Sequence, residues 1–294
     1  MIDLDAASDF MATHARLLDR RRFDVRFRDA PPEGALAAVD GYRNPDGGYG
    51  WGLEPDLRAG ESQPGGALHA FEVFEDVAPA RSPNAVALCD WLESVTLPNG
   101  GLPFALPVRS AAGCAPFWAG ADPTVSSLQI TSVVAAIAHR VAAHDAAVAE
   151  HPWLARATDF CLTAAAALGD DPHAIELAFT VQFLDTVHGT RPEADELLDR
   201  LGAHIPASGL VHVQGGLEDE LMRPLDFSPW PDRPVRRLFA PETIAAELER
   251  LAGQQQADGG WRVDFANYSP AAELEWRGHM TVRALTILRR NGML

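Results

Sequence analysis

The sequence predicts an all-α fold made of repeated helical hairpins, and two observations carry the prediction. The first is a recurring glycine turn: Asp46-Gly47-Gly48-Tyr49, Asn99-Gly100-Gly101-Leu102 and Asp258-Gly259-Gly260-Trp261. The first two copies lie 53 residues apart (99 − 46) and the last two 159 apart (258 − 99), which is three times 53. A fixed period of this size marks a repeat architecture. The second observation is that the segments between the turns read as helices of two alternating kinds. One kind is amphipathic and the other is apolar on most sides, as buried helices are.

The elements follow in chain order. Residues 4–22 read as an N-terminal helix. Pro31 and Pro32 open an amphipathic helix that carries Leu36, Val39 and Tyr42. The first glycine turn follows, where Asx tolerates the left-handed region and glycine supplies positive φ at little cost. Residues 65–74 form the first apolar segment. Ser82-Pro83 is an N-cap with proline at the first helical position, and Val86, Cys89, Leu92 and Val95 recur every third residue behind it. An apolar segment at 123–141 is followed by a helix at 151–168, bounded by Pro152 and Gly169. Another apolar segment spans 172–187. A weaker turn, Ser208-Gly209-Leu210, falls near the fourth repeat, while no glycine pair marks the unit due near 152. Pro241 then opens a helix with Ile244, Leu248 and Leu251 on one stripe, and 280–288 forms the last apolar segment.

Composition narrows the function classes. The chain has 294 residues, 47% of them hydrophobic, and is read as one domain, 1–294. No run reaches the roughly 18 apolar residues of a membrane span. The formal charge of −17 argues against nucleic acid and anionic membrane surfaces. The N-terminal stretch has no apolar signal region, so a cytoplasmic protein is expected. Cys89, Cys114 and Cys161 are widely spaced and odd in number, which suits neither a disulfide framework nor structural zinc. No metal site and no cofactor is expected, and the histidines at 69, 139 and 279 read as core residues.

The stretch "QQQADGGW", Gln254 to Trp261, resembles the glutamine–tryptophan repeat of squalene–hopene cyclases and related terpenoid cyclases, and "DGGYGWG" and "NGGLPF" resemble weaker copies. The phrases "NPDGGYGWGLEPDLR", "PLDFSP" and "PAAELEWRG" are similar to bacterial prenyltransferase and squalene-oxidase repeat proteins, over about residues 40 to 290. The resemblance implies an α/α toroid of about five or six hairpins, a fold shared with protein prenyltransferase β-subunits. It also implies buried helices around a central cavity, with the N-terminal helix packed against the last helix to close the ring. Two departures stand out. The Asp-x-Asp-Asp motif of cyclases that protonate their substrate is missing, and so is the Asp-x-Cys pair of zinc-dependent prenyltransferases.

Candidate site residues sit on the long connections after the turns, because long structured loops in compact domains are often functional. Glu54, Asp56, Asp226 and Glu273 are the candidate acids. Asp226 lies between Leu225 and Phe227, and a carboxyl among apolar groups gains a raised pKa. It equally suits a turn cap, and Glu273 equally suits a helix N-terminus. Trp51, Arg58, Trp118, Trp230, Trp276 and Arg277 are the candidate binding residues, each with a packing or ion-pairing alternative.

Three functions follow as expectations. The first is a terpene-cyclase-like protein with an apolar small-molecule substrate, in which a carboxylic acid protonates an isoprenoid and aromatic faces stabilise the cation. The second is a carbohydrate-active enzyme with paired carboxylates. The third is a non-catalytic binding or scaffold toroid. An aromatic site holding one buried, unpaired carboxyl favours the first.

Overall fold

Helix starts fall on the capping signals. In the computed structural model, which describes residues 2–294, Ser82 accepts from the Asn84 amide and Pro83 opens a helix that ends at Val95. Ser269 caps the last helix in the same way, with Pro270 behind it. In chain order the described helices are α1 (Leu4–Thr13), α2 (Leu17–Phe27), α3 (Glu33–Asp40), α4 (Pro64–Asp76) and α5 (Pro83–Val95). Next come α6 (Pro116–Ala119), α7 (Leu128–Ala142), α8 (Ala146–Ala149), α9 (Pro152–Ala166) and α10 (Ala174–Val187). The last are α11 (Glu193–Gly202), α12 (Pro224–Phe227), α13 (Pro241–Ala252) and α14 (Pro270–Arg290). A two-residue ribbon, β1 (Val211–His212) antiparallel to β2 (Leu221–Met222), decorates one connection. The all-α expectation holds.

The two helix kinds occupy different places. α7 is buried along nearly its whole length and packs on α4, α9 and α10. α4 also meets α2, α3 and α5, while α10 meets α11 and α12. α14 packs on α2 and α13. The amphipathic helices α5 and α9 touch each other, as do α9 and α11.

The three glycine turns are superimposable in their bonding. In each, the first glycine amide donates to the carbonyl three residues back: Gly47 to Asn44, Gly100 to Leu97, Gly259 to Gln256. The Asx side chain accepts the second glycine's amide, as Asp46 does from Gly48 at 2.9 Å. The first glycine has φ near +90° in all three copies and presses on a helix backbone. A Cβ at Gly47 would meet the Ala87 carbonyl on α5, and one at Gly100 the Arg156 carbonyl on α9. At Gly259 it would meet the Ala6 carbonyl, on α1. The chain's first helix thus stands to the last turn as α5 and α9 stand to the first two. Gly209, with φ +71° and the same bond back to Pro206, is the weaker copy the sequence suggests.

Some boundaries differ from expectation. The N-terminal helix breaks between Thr13 and Leu17. Arg16 there binds Asp19 and the Leu53 carbonyl, so α2 turns inward against α14 while α1 stays over the third turn. α14 begins ten residues before 280 (280 − 270), because the Ser269 cap holds a charged first segment in helix. α11 is a helix that the sequence reading omits.

Candidate functional site

The connection between the first turn and α4 folds inward. It buries Glu54 and Asp56, which are 7% and 4% exposed. Asp56 Oδ2 accepts the Trp276 indole N–H at 2.8 Å, and its Oδ1 is buried with no hydrogen-bond partner among the described residues. Burial pushes the carboxyl up from 3.8 to about 6; the Trp276 bond opposes this and the Glu54 charge reinforces it.

One aromatic side chain, Trp276, touches this carboxyl, and others pack nearby. Trp276 meets Phe265 edge-on at 5.2 Å between centroids. The main chain of Tyr268 faces Asp56, and its ring meets Phe117 edge-on at 5.6 Å. Trp118, on α6, stacks on Phe104 at 4.4 Å, and its ring tip lies with Glu54 against Gly65 at the start of α4.

Behind Glu54 runs a buried polar chain. Its Oε1 accepts the Asp56 amide at 3.0 Å, and its Oε2 pairs with His69 Nε2 at 2.9 Å. His69 Nδ1 lies 2.9 Å from Glu72 Oε2, one helical turn further along α4. His279 of α14 and Arg22 of α2 complete the group, so three helices meet here. Burial alone would lower the His69 pKa, but the Glu72 and Glu54 carboxylates outweigh it and raise it to about 9. Burial dominates at His279, whose pKa falls well below the usual value. Burial would raise Glu72, but the charges of His69 and Arg22 outweigh it and hold it well below the carboxylate range.

The other candidates lie differently. Asp226 caps α12, accepting the Arg223 amide at 2.9 Å, and pairs with Arg283 at 2.9 Å, so both its oxygens are bound. Its neighbours Leu225 and Phe227 take the core positions. Glu273 is exposed in the first turn of α14, where an acid suits the helix dipole. Arg58 pairs with Glu275 at 2.6 Å beside the aromatic group. Arg277 is bidentate to Asp258 and lies over the Phe10 ring at 4.6 Å, stapling the third turn to α1. Trp230 is covered by Arg290 at 4.6 Å. Trp51 is 62% exposed with φ +58°, its indole bound to Asn44 Oδ1. The structure therefore gathers Glu54, Asp56, Trp118 and Trp276, with Arg58 at the edge, and leaves Asp226, Glu273, Trp51, Trp230 and Arg277 on their own local contacts.

His69, Glu72, His279 and Arg22 were not legible as a group. The only local signal is the i, i+3 pair His69-x-x-Glu72; His279 and Arg22 join it from opposite ends of the chain. His69 and His279 are buried as expected, whereas His139 is half-buried, bound to Thr158 at 2.7 Å with its pKa lowered to about 4 by desolvation. Among the described residues no helix is long and apolar enough to cross a membrane. No protein-family model matches the chain, and no curated protein matches it.

Proposed function

We propose that the protein is an α/α toroid of the terpenoid-cyclase type, and that Asp56 is the acid that starts cyclisation of an apolar isoprenoid. One observation carries the reading: a buried carboxyl, with one oxygen that has no hydrogen-bond partner among the described residues, is held by Trp276, which packs against Phe265. Burial keeps a proton on that carboxyl to higher pH than an ordinary aspartate. The aromatic faces supply cation–π attraction for the carbocation that protonation creates, about 1–2 kcal/mol per well-placed ring. The sequence of helix contacts from α2 through α4, α7, α10, α12, α13 and α14 back to α2 supports the toroid, as does α1 completing the last repeat. Phe117 and Tyr268 are the exposed aromatics of the group.

The test is incubation with linear isoprenyl diphosphates and their epoxides, with Asp56→Asn and Glu273→Gln alongside. Cyclic product from the wild type and from Glu273→Gln, and none from Asp56→Asn, is expected. Absence of both product and binding across the panel overturns the proposal. Hydrolysis of a glycoside that depends on both Glu54 and Asp56 would transfer the site to the carbohydrate reading.

A further inference from the structure

We propose that His69, Glu72 and His279 form a binding site for one first-row divalent metal ion of the zinc type, in which the Arg22 guanidinium is the competing cation. The donor set and its placement point there. His69 and Glu72 stand one turn apart on α4 and His279 faces them from α14, with one donor atom from each residue within 4.8 Å of the others. Glu72 Oε2 lies 2.9 Å from His69 Nδ1 and 3.7 Å from His279 Nδ1. Donors about 2.1 Å from a tetrahedral zinc stand roughly 3.4 Å apart, so small side-chain shifts close the shell. Two imidazoles and one carboxylate leave the fourth position open, as in catalytic rather than structural zinc sites.

A second observation lies outside the donor set. Glu54 Oε2 is 2.9 Å from His69 Nε2, the nitrogen turned away from the other donors. A carboxylate on the far nitrogen fixes an imidazole's tautomer and orientation and strengthens it as a ligand. His69 is therefore oriented to present Nδ1 to the ion, which displaces to solvent the proton that Nδ1 now shares with Glu72.

Arg22 now holds the position of positive charge. Its Nη1 lies 3.2 Å from His279 Nδ1 and 3.4 Å from Glu72 Oε2. It also lies 3.8 Å from Asp19 Oδ1, a buried oxygen with no hydrogen-bond partner among the described residues. A shift of roughly 1 Å toward Asp19 would complete that missing bond at normal hydrogen-bond length and vacate the donors, with Asp76 still holding Nε at 2.6 Å. The ion would then tie α4 to α14.

Equilibrium dialysis of the full chain against Co²⁺ and Zn²⁺, with visible absorption of the Co²⁺ form, tests this. One ion per chain is expected, with the d–d absorption of a low-coordinate site. His279→Gln should abolish binding, with far-ultraviolet circular dichroism confirming that the variant is folded. Glu54→Gln should weaken binding about 10–100-fold. Arg22→Gln should tighten it at least tenfold, a direction that structural damage would not produce. No stoichiometric binding by either the wild type or Arg22→Gln, or binding unchanged in His279→Gln, overturns the proposal.

Discussion

Replacing Asp56 by asparagine should remove a pH-dependent cost that the wild type carries. The carboxyl rises from 3.8 to about 6 on folding, a difference of about 2.2 pK units. At 1.36 kcal/mol per unit that is at most about 3 kcal/mol, and water near the exposed Phe117 and Tyr268 reduces it to roughly 2. The sign follows from proton counting. Between pH 3.8 and 6 the folded chain holds a proton that the unfolded chain has released, so stability falls as pH rises through this window. Asparagine cannot ionise. Its amide, placed at the buried Oδ1 position, lacks an acceptor and costs about 1–3 kcal/mol at every pH. The constant cost leaves the slope as the diagnostic. Urea denaturation of both proteins at pH 4 and pH 8 should show the variant gaining about 2 kcal/mol on the wild type between the two. A difference that stays flat, or moves the other way, refutes the reasoning that burial dominates at Asp56.

Two further outcomes test the frame around the site. Tyr49 is fully buried and its hydroxyl has no partner among the described residues, so Tyr49→Phe should stabilise the fold by about 1 kcal/mol, read as a higher urea midpoint at unchanged slope. Gly259 combines φ +91° with a Cβ position 2.0 Å from the Ala6 carbonyl, so Gly259→Ala should cost at least about 3 kcal/mol in the same assay. Gly169 has open space around it, and Gly169→Ala is the matched control, expected to change stability by less than about 1 kcal/mol.

The repeat frame was legible because its determinants are local. An Asx before two glycines, a proline at N1 and a three-residue apolar spacing each act within one turn of chain. The break between α1 and α2 was not, since no glycine or proline marks it; Arg16 makes it by reaching Leu53 and Asp19. The site was half legible. Glu54 and Asp56 stood out because they differ from the other copies of the turn, yet Asp56 is covered by Trp276 of α14, more than 200 residues away, and Glu54 by His69 of α4. Asp226 looked equally buried from its neighbours Leu225 and Phe227, but the helical turn it caps points those two inward and leaves it half-buried against Arg283. The His69–Glu72–His279–Arg22 group needed three helices brought together from 257 residues of separation between Arg22 and His279.

In the proposed reaction Asp56 delivers a proton to carbon. The direct test is incubation of the wild type in D₂O with the linear isoprenyl diphosphates alone, whose alkene carbons, unlike an epoxide oxygen, retain the delivered deuterium, with products analysed by mass spectrometry. Protonation of an alkene followed by loss of a different proton yields a cyclic isomer, so the product should carry one deuterium at the carbon that began the reaction, and Asp56→Asn should form none. A cyclic product without deuterium, or the same labelled product from Asp56→Asn, would contradict the account.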